Sequence, residues 1–393
     1  GIRVPGRSMK GAATPDPGGG AVPAAAPSAL PPARPSVVDG AGGTVIITGD
    51  AVTLADTARI DVSGSTGGGA LVGGDYQGGA NAANNYAAES VARARTLTVA
   101  KGGIVAAGGA GDDGGVVLWS DERADFAGHV SATSLAGRGG DAEVSGKALL
   151  GFTGTANLLG PAGAGPLLLD PYNITISSGS NLTSGTSPAF AAAGNDSILS
   201  VTTLTDALAG ANVSVTTGTG GSQSGNITVA AAITWTAATT LTLDAANKIA
   251  INAAITATHA SGGLTLKAKA GTAAAPTITT GASGAIDVGT FSLQAGAWVQ
   301  NTATLPAFKA KDFRLAVDSN LVPTVTFLRA TAGTGADAAN AYAVADVYGL
   351  QGIATVRDKF YKLAADIDAA GTASWNGGDG FLPIGRNATG KYF

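Results

Sequence analysis

The stretch ITVAAAITWTAATTLTLDAANKIAINAAITATHASGGLTL, residues 227–266, alternates apolar and polar positions in triplets and not in long runs. Ile-Thr-Val, Ile-Thr-Trp, Leu-Thr-Leu and Ile-Ala-Ile each put two apolar side chains on one side of an extended segment. A small or hydroxylated residue faces the other way, the period-two signature of a half-buried β-strand. Almost none of the gaps carries the Asn-Gly or Asp-Gly pair that closes a tight hairpin. The triplets recur in order: Ile227 and Ile249 are 22 residues apart, Ile233 and Ile255 also 22, and Leu241 and Leu264 are 23 apart. Self-similarity on this scale means one supersecondary unit stacked on the next. The pattern predicts an all-β fold, a right-handed parallel β-helix with about 22 residues and three short strands per coil. Each triplet then pairs with its equivalents ~4.8 Å above and below. Ile227, Val229, Ile233 and Trp235 should point inward, with Thr228 and Thr234 outward. Later runs, TITTG and AIDVGTFSL, fit the repeat only with insertions.

The same reading divides the chain. Residues 1–42 hold eight of the 16 prolines, with Ala and Gly between them, and read as a disordered, polyproline-like linker. Residues 43–170 alternate short β-type runs with glycine clusters and read as a first β-helix segment, the glycines supplying the positive φ angles of the corners. Within it, YAAESVARAR (Tyr86–Arg95) is expected to form a helical turn or two. Residues 171–225 read as a Ser/Thr-rich bridge with a short helix over Ser200–Gly210, which has a capping hydroxyl and a terminal glycine. Residues 226–330 form a second β-helix segment. Residues 331–393 combine a helix expected over Ala341–Ala370, where Val347, Leu350, Ile353 and Val356 keep helical spacing, with an irregular tail. The solenoid is expected to end incompletely capped, and so to aggregate unless something covers its last coil.

Composition narrows the class. Charged residues are only 13% of the chain, against a usual ~25%. Glycine accounts for 60 of 393 residues, yet 45% of residues are apolar and the mean hydropathy is +0.24, so the chain is not a polar disordered one. With aromatics at 5%, the core must be thin and built from Ile, Leu, Val and Ala. A formal net charge of −4 argues against nucleic-acid binding, which needs clustered Lys and Arg. Cysteine is absent, which removes disulfides, Cys-ligated zinc and Cys nucleophiles. No apolar run approaches the ~18 residues of a transmembrane helix, so no transmembrane segment is expected. The chain begins at Gly1 without an initiator Met or a signal segment and reads as a fragment of something longer.

Several stretches resemble one family. GGTVIITGDAVTLADTARIDVSGSTGGGALVGGDYQGG, GGVVLWSDERADFAGHVSA, DAEVSGKALLGFTG and LLLDPYNITI, in that order, are similar to segments of the filamentous-haemagglutinin-like exoproteins of two-partner secretion, large adhesins of Gram-negative surfaces. The resemblance covers roughly residues 43–300. The tail LAADIDAAGTASWNGGDGFLPIG resembles the beginning of a small repeat module found further along such proteins, truncated at Phe393. The resemblance implies a β-helical shaft, export through a partner pore in the outer membrane, and an extracellular, cell-surface location. The family's amino-terminal secretion domain is not in this chain, so export is implied by the likeness alone.

No residue stands out as catalytic, cofactor-binding or metal-binding, and no cofactor is expected. GAGDDG (Gly109–Gly114) satisfies G-x-G-x-x-G but precedes the strand-like GVVLWSD, where a dinucleotide site needs a helix. GGAGDD (Gly108–Asp113) touches the calcium-binding nonapeptide pattern in a single copy, with Gly115 at its apolar position. SGKA (Ser145–Ala148) lacks both the upstream glycine, where Asp141 stands, and the Ser or Thr that holds magnesium in a phosphate loop. His129 and His259 lie far apart without acidic partners and are expected on the coil surface. The acidic cluster Asp121, Glu122 and Asp125 with Arg123 reads as a solvated corner. Thr234/Thr236 and Thr256/Thr258, one coil apart, should stack as Thr-x-Thr steps on one face. The expectation is a non-enzymatic adhesin fragment, a rigid shaft making multivalent contact with host or neighbouring cell-surface glycans or proteins. A carbohydrate-active β-helix enzyme, a polysaccharide lyase or glycosidase, is the alternative, and an ice- or surface-binding β-helix the third reading.

Overall fold

The computed structural model describes residues 2–3, 40–80, 85–111, 114–179, 197–218, 223–269, 271–272 and 275–385. The chain winds as a parallel β-solenoid of about ten coils with its strands on three faces. On the first face, Thr44–Ile47, Gly69–Val72, Gly115–Ser120, Asp141–Gly146, Pro166–Leu169, Asn212–Thr216, Thr240–Asp244, Gly263–Lys267 and the later halves of Ile286–Leu293 and Phe308–Leu315 stack in chain order. Every neighbouring pair there is parallel. The second face begins with Ala51–Leu54, Thr96–Val99, Arg123–Phe126 and Leu149–Phe152. It ends with Ile227–Val229, Ile249–Ile251, Ile278–Thr280, Ala297–Asn301 and Thr326–Ala330. The third face carries Arg59–Asp61, Ile104–Ala106, His129–Ser131 and Thr155–Asn157, and higher up Ile233–Trp235, Ile255–Ala257 and the first halves of Ile286–Leu293 and Phe308–Leu315.

The expected pairings form as read from the triplets. Ile227 lies over Ile249, Ile233 over Ile255 and Leu241 over Leu264. Ile227, Val229, Ile233 and Trp235 are buried, while Thr234 is exposed. Successive coils typically start about 26 residues apart, because most corners are longer than those of the segment that set the 22-residue expectation. One inward column of the first face runs Val45, Ala70, Val116, Ala142, Leu167, Val213, Leu241, Leu264, Phe291, Phe313, each buried on its register partner. Full burial of such a side chain contributes ~1.5–3 kcal/mol, and only stacking achieves it, since one coil alone leaves its inner side open.

The glycines divide between two roles: some, such as Gly73 and Gly163, take the expected positive φ, and others do not. Gly68, Gly114, Gly140 and Gly165 each stand just before a first-face strand, and none has a positive φ. Gly68 O accepts from Gly115 N at 2.9 Å, and Gly114 O from Asp141 N at 2.8 Å. A methyl on Gly114 would overlap Ala107 O, and one on Gly165 would overlap Gly140 O. These four positions therefore need glycine for close backbone approach and not for left-handed conformation.

Two excursions interrupt the winding, since Gly69 pairs with Gly115 and Pro166 with Asn212 across much longer intervals than the rest. The described parts of the first, residues 73–80 and 85–95, lie on the outer side of the first face. Tyr86–Arg95 is not helical; Asp75 accepts from Tyr86 N at 2.9 Å and Ala87 N at 3.0 Å, and the segment returns extended to the second face. In the second excursion Ser197–Ser200 pairs beneath Ile174–Ser177, although it follows it in the chain. Ser197 also meets the coil below, its Oγ accepting from Leu150 N at 3.0 Å. The expected helix follows as Val201–Gly210 and buries Leu204, Ala207 and Leu208 on the third face between Thr155–Asn157 and Ile233–Trp235. Ser200 takes the capping position without a side-chain capping bond. Of the expected linker, residues 4–39 lie outside the described residues, and Ile2–Arg3 pairs in parallel with Ile60 and Asp61.

The long helix expected over Ala341–Ala370 is mostly not formed. Helix is confined to Val347–Gly352, continued by a 3-10 turn at Ile353–Thr355, and Tyr342–Val344 pairs in parallel with Tyr361–Leu363. Asp346 sets the start by accepting from Gly349 N at 2.8 Å. The apolar spacing is real but serves docking: Gly349 and Gly352 press against Arg329 O and Phe327 O, where any side chain would collide. This helix and the turns of Ala370–Gly378 cover the last coil, so the end is capped, contrary to expectation. Trp375 is buried against Phe313 and Tyr348, with ring centroids 5.1 and 5.2 Å apart. Arg329, 4% exposed, donates to Asp346 at 2.6 Å, to Pro306 O at 2.7 Å and to Gln300.

Two outcomes follow from this packing. Gly114→Ala should lower stability by about 1–3 kcal/mol, the usual cost of overpacking, read from chemical denaturation. Trp375→Ala should remove about 3–5 kcal/mol of local packing and expose the last coil, giving concentration-dependent association in sedimentation velocity; a monomer with unchanged melting would contradict the capping role.

Candidate functional site

The outward positions of the first face form their own column: Ile46, Leu71, Val117, Glu143, Leu168, then Ser214, Thr242, Thr265 and Ser292. Outward side chains normally meet water, so the lower, apolar half of this column needs a cover. The 73–95 excursion supplies it, placing Tyr76, Ala87 and Val91 on Leu71, Val117 and Trp119. Gly73 and Gly78, at φ 76° and 67°, lay the loop over Trp119, whose backbone and ring leave no room for a side chain at either position. Asp75, 1% exposed, ties the two ends of the loop together by accepting from Tyr76 N at 2.7 Å as well as from Tyr86 and Ala87.

Glu143 is the anchor beneath. It is fully buried; Oε2 accepts from Gln77 N at 2.8 Å and Oε1 from Ser145 Oγ at 2.7 Å. Burial pushes its carboxyl up to about 7, opposed by those hydrogen bonds and by Lys147 and reinforced by the charge of Asp170.

Beside this anchor, a groove of about 580 Å³ follows the corner between the first and second faces, within the usual ~300–1,000 Å³ of ligand pockets. Successive coils contribute Trp119 and Asp121, then Lys147, then Asp170 and Tyr172, then Thr216, Thr217 and Gly218, while Gln77, Ala80 and Arg93 of the excursion form the wall. Lys147 Nζ donates to Asp170 Oδ2 at 2.7 Å and sits 5.9 Å from the Trp119 ring centroid and 5.7 Å from that of Tyr172. Trp119 Nε1 donates to Asp121 Oδ1 at 3.0 Å, and Arg93 pairs with Asp121 Oδ2 at 3.4 Å. Among the described residues, Asp170 Oδ1 is buried without a hydrogen-bond partner.

The residues singled out in the sequence are dispersed. Of the acidic cluster, only Asp121 lines this groove; Glu122 pairs with Arg95 at 3.1 Å and Asp125 with Arg123 at 2.6 Å. Lys147 of SGKA holds a carboxylate and not a phosphate loop. Asp112 and Asp113, shared by both glycine-rich motifs, lie outside the described residues, and a strand, Gly115–Ser120, follows Gly109–Gly114 where a dinucleotide site needs a helix. His129 is half-buried, with Nδ1 2.8 Å from Thr155 Oγ1, and burial lowers its pKa. His259 is exposed beside a second cavity of about 530 Å³, between the third face and the cap, where Asp287, Lys309, Tyr348 and Trp375 also contribute. Thr234 stacks on Thr256, but the next rungs are Asp287 and Lys309, so the threonine array spans two coils. Among the described residues no group of three or more His, Asp or Glu could hold a metal, and no helix is long and apolar enough to cross a membrane. The groove escaped sequence reasoning because its members come from four coils of unequal length; the legible signal was a Trp, a Lys and an Asp-Pro-Tyr at consecutive corners. No protein-family model and no curated protein matches the chain.

Because the folded Glu143 carboxyl lies above its ordinary 4.5, its contribution to stability is fully present below that value and is lost as pH rises through about 7. Glu143→Gln keeps an acceptor for Gln77 N and a polar partner for Ser145, so it should flatten the fall in stability over that interval, measured as denaturation midpoint against pH. An unchanged slope would place the titration elsewhere.

Proposed function

We propose that this chain is a segment of a secreted, surface-displayed adhesin whose β-helical shaft makes multivalent contact with cells or extracellular glycans. The observation that carries the reading is the unbroken first-face ladder. About ten coils in register at ~4.8 Å give a rod of roughly 50 Å, a spacer that presents side chains at a fixed interval. The motif resemblance to filamentous-haemagglutinin-like exoproteins agrees with such a shaft. On this reading the chain leaves the cell through an outer-membrane partner pore and folds outside; strand stacking without cysteine suits threading followed by folding from coil to coil. Weak sites repeated on many copies add through effective concentration.

We read the chain as non-enzymatic. Glu143, whose carboxyl is pushed up to about 7 by burial, is sealed beneath Gln77 with both oxygens engaged, and a general acid must reach its substrate. The carbohydrate-active alternative draws on one feature, the presence of Asp121 and Asp170 in the same groove. The ice-binding reading has only the two-rung threonine array.

Beads coated with the protein should attach to cells or matrix glycans far better than the free monomer, and incubation with polysaccharides should release no reducing or unsaturated sugar. Sugar release abolished by Asp121→Asn or Asp170→Asn would replace the adhesin with the enzyme. Equal, negligible attachment of beads and monomer would remove the adhesive role.

A further inference from the structure

We propose that the corner groove bordered by Lys147, Asp170 and Tyr172 is a binding site for neutral pyranose units of a glycan chain lying along the shaft axis. The proposal deepens the adhesive reading and rests on it for the kind of ligand, but its argument is local. The groove spans four consecutive coils, so its length is about three rises, roughly 14 Å, and it runs with the axis and not across it. That shape takes a linear chain of a few rings better than a compact ligand.

Charge selects among linear ligands. Lys147 and Arg93 face Asp121 and Asp170, so the formal charges of the lining cancel. A polyanion meets two carboxylates, and a polyamine or metal ion meets the Lys147 ammonium. Hydrogen-bonding capacity remains. Asp170, its side chain 4% exposed, lines the groove and holds a buried Oδ1 that has no hydrogen-bond partner among the described residues. Lys147 spends one N–H on Asp170 Oδ2, which leaves further donors on the same nitrogen. An acceptor and a donor on neighbouring side chains match vicinal hydroxyls: on binding, the buried Oδ1 of Asp170 turns outward to accept from one sugar O–H, and its neighbour accepts from Lys147. Tyr172, half-buried, offers its ring face to the C–H side of the same sugar, whereas Trp119 is 2% exposed and serves to seat the lysine. The seat is built. A side chain at Gly218 would press on Lys147 Nζ and displace it, and the Glu143 anchor holds the wall in place. Burying an acceptor unmet costs free energy that a ligand hydroxyl recovers, and that is a basis for discrimination.

The test uses the full chain with cellotriose, maltotriose, mannotriose and trigalacturonate as probes, followed by saturation-transfer NMR and calorimetry. At least one neutral trisaccharide should bind, and its affinity should fall by roughly tenfold or more in both Asp170→Asn and Tyr172→Ala, the loss expected when a buried partner or the ring face is removed. Circular dichroism monitors the fold; if Asp170→Asn unfolds, the partly exposed Tyr172 decides alone. Binding of no neutral sugar, binding unaffected by Tyr172→Ala, or binding of trigalacturonate only would each overturn the site. Bead attachment to cells separates the two readings. Attachment without sugar binding overturns the groove and leaves the adhesin, while groove binding without attachment supports the site and removes the adhesin.

Discussion

The fold depends on one constraint: each coil lies in parallel register on the one below, ~4.8 Å away. At that spacing a side chain's main neighbours are its own equivalents, so packing is decided column by column. A column tolerates gradual change. The inward first-face column widens from Val45 and Ala70 through leucines to Phe291 and Phe313. The second face does the same, from Ile227 and Ile249 through Ile278 to Trp298 and Phe327. The interior therefore ends in an aromatic cluster, and this gives the cap something to bind. Trp375 and Tyr348 close a surface that a column of alanines would not have offered.

The same constraint decides where the winding can be broken. An excursion must leave from a corner and rejoin at the correct height. The 73–95 loop does so between the first and second faces and uses the space outside the shaft. At the second interruption, Ser197–Ser200 is followed directly by a helix, Val201–Gly210, that replaces a strand. An α-helix is ~10 Å across, close to two coil rises, and beside it the second face carries two strands, Ser197–Ser200 and Ile174–Ser177. The inverted order of these strands then has a geometric reason: the added strand fills the level that the helix occupies on the neighbouring face.

Much of this was legible in the sequence, but unevenly. Ile227, Ile233 and Leu241 announce their partners because three triplets recur at one period, and the short helix at Val201–Gly210 follows from its own residues. At the end of the chain the pattern is ambiguous, since Val347, Leu350 and Ile353 keep helical spacing over only two turns, and Gly349 and Gly352 reveal their purpose only when Arg329 and Phe327 lie beneath them. The corner glycines show the same limit. Composition says that small residues are needed there; whether for positive φ or for close approach depends on the coil underneath.

Polar residues are harder to read than apolar ones for a related reason. Glu143 occupies an outward strand position, where a charged residue ordinarily needs no explanation, and only the folded excursion turns it into a buried anchor. Its burial has a consequence for its neighbours. A loop held at Gln77 by a carboxyl becomes a wall, and a wall beside a convex corner makes a concavity where a bare solenoid would have none. Asp170 is then enclosed with one oxygen paired to Lys147 and the other unmet. A shaft supplies regular spacing, whereas recognition needs an irregularity, and here the irregularity is the excursion that the repeat had to accommodate.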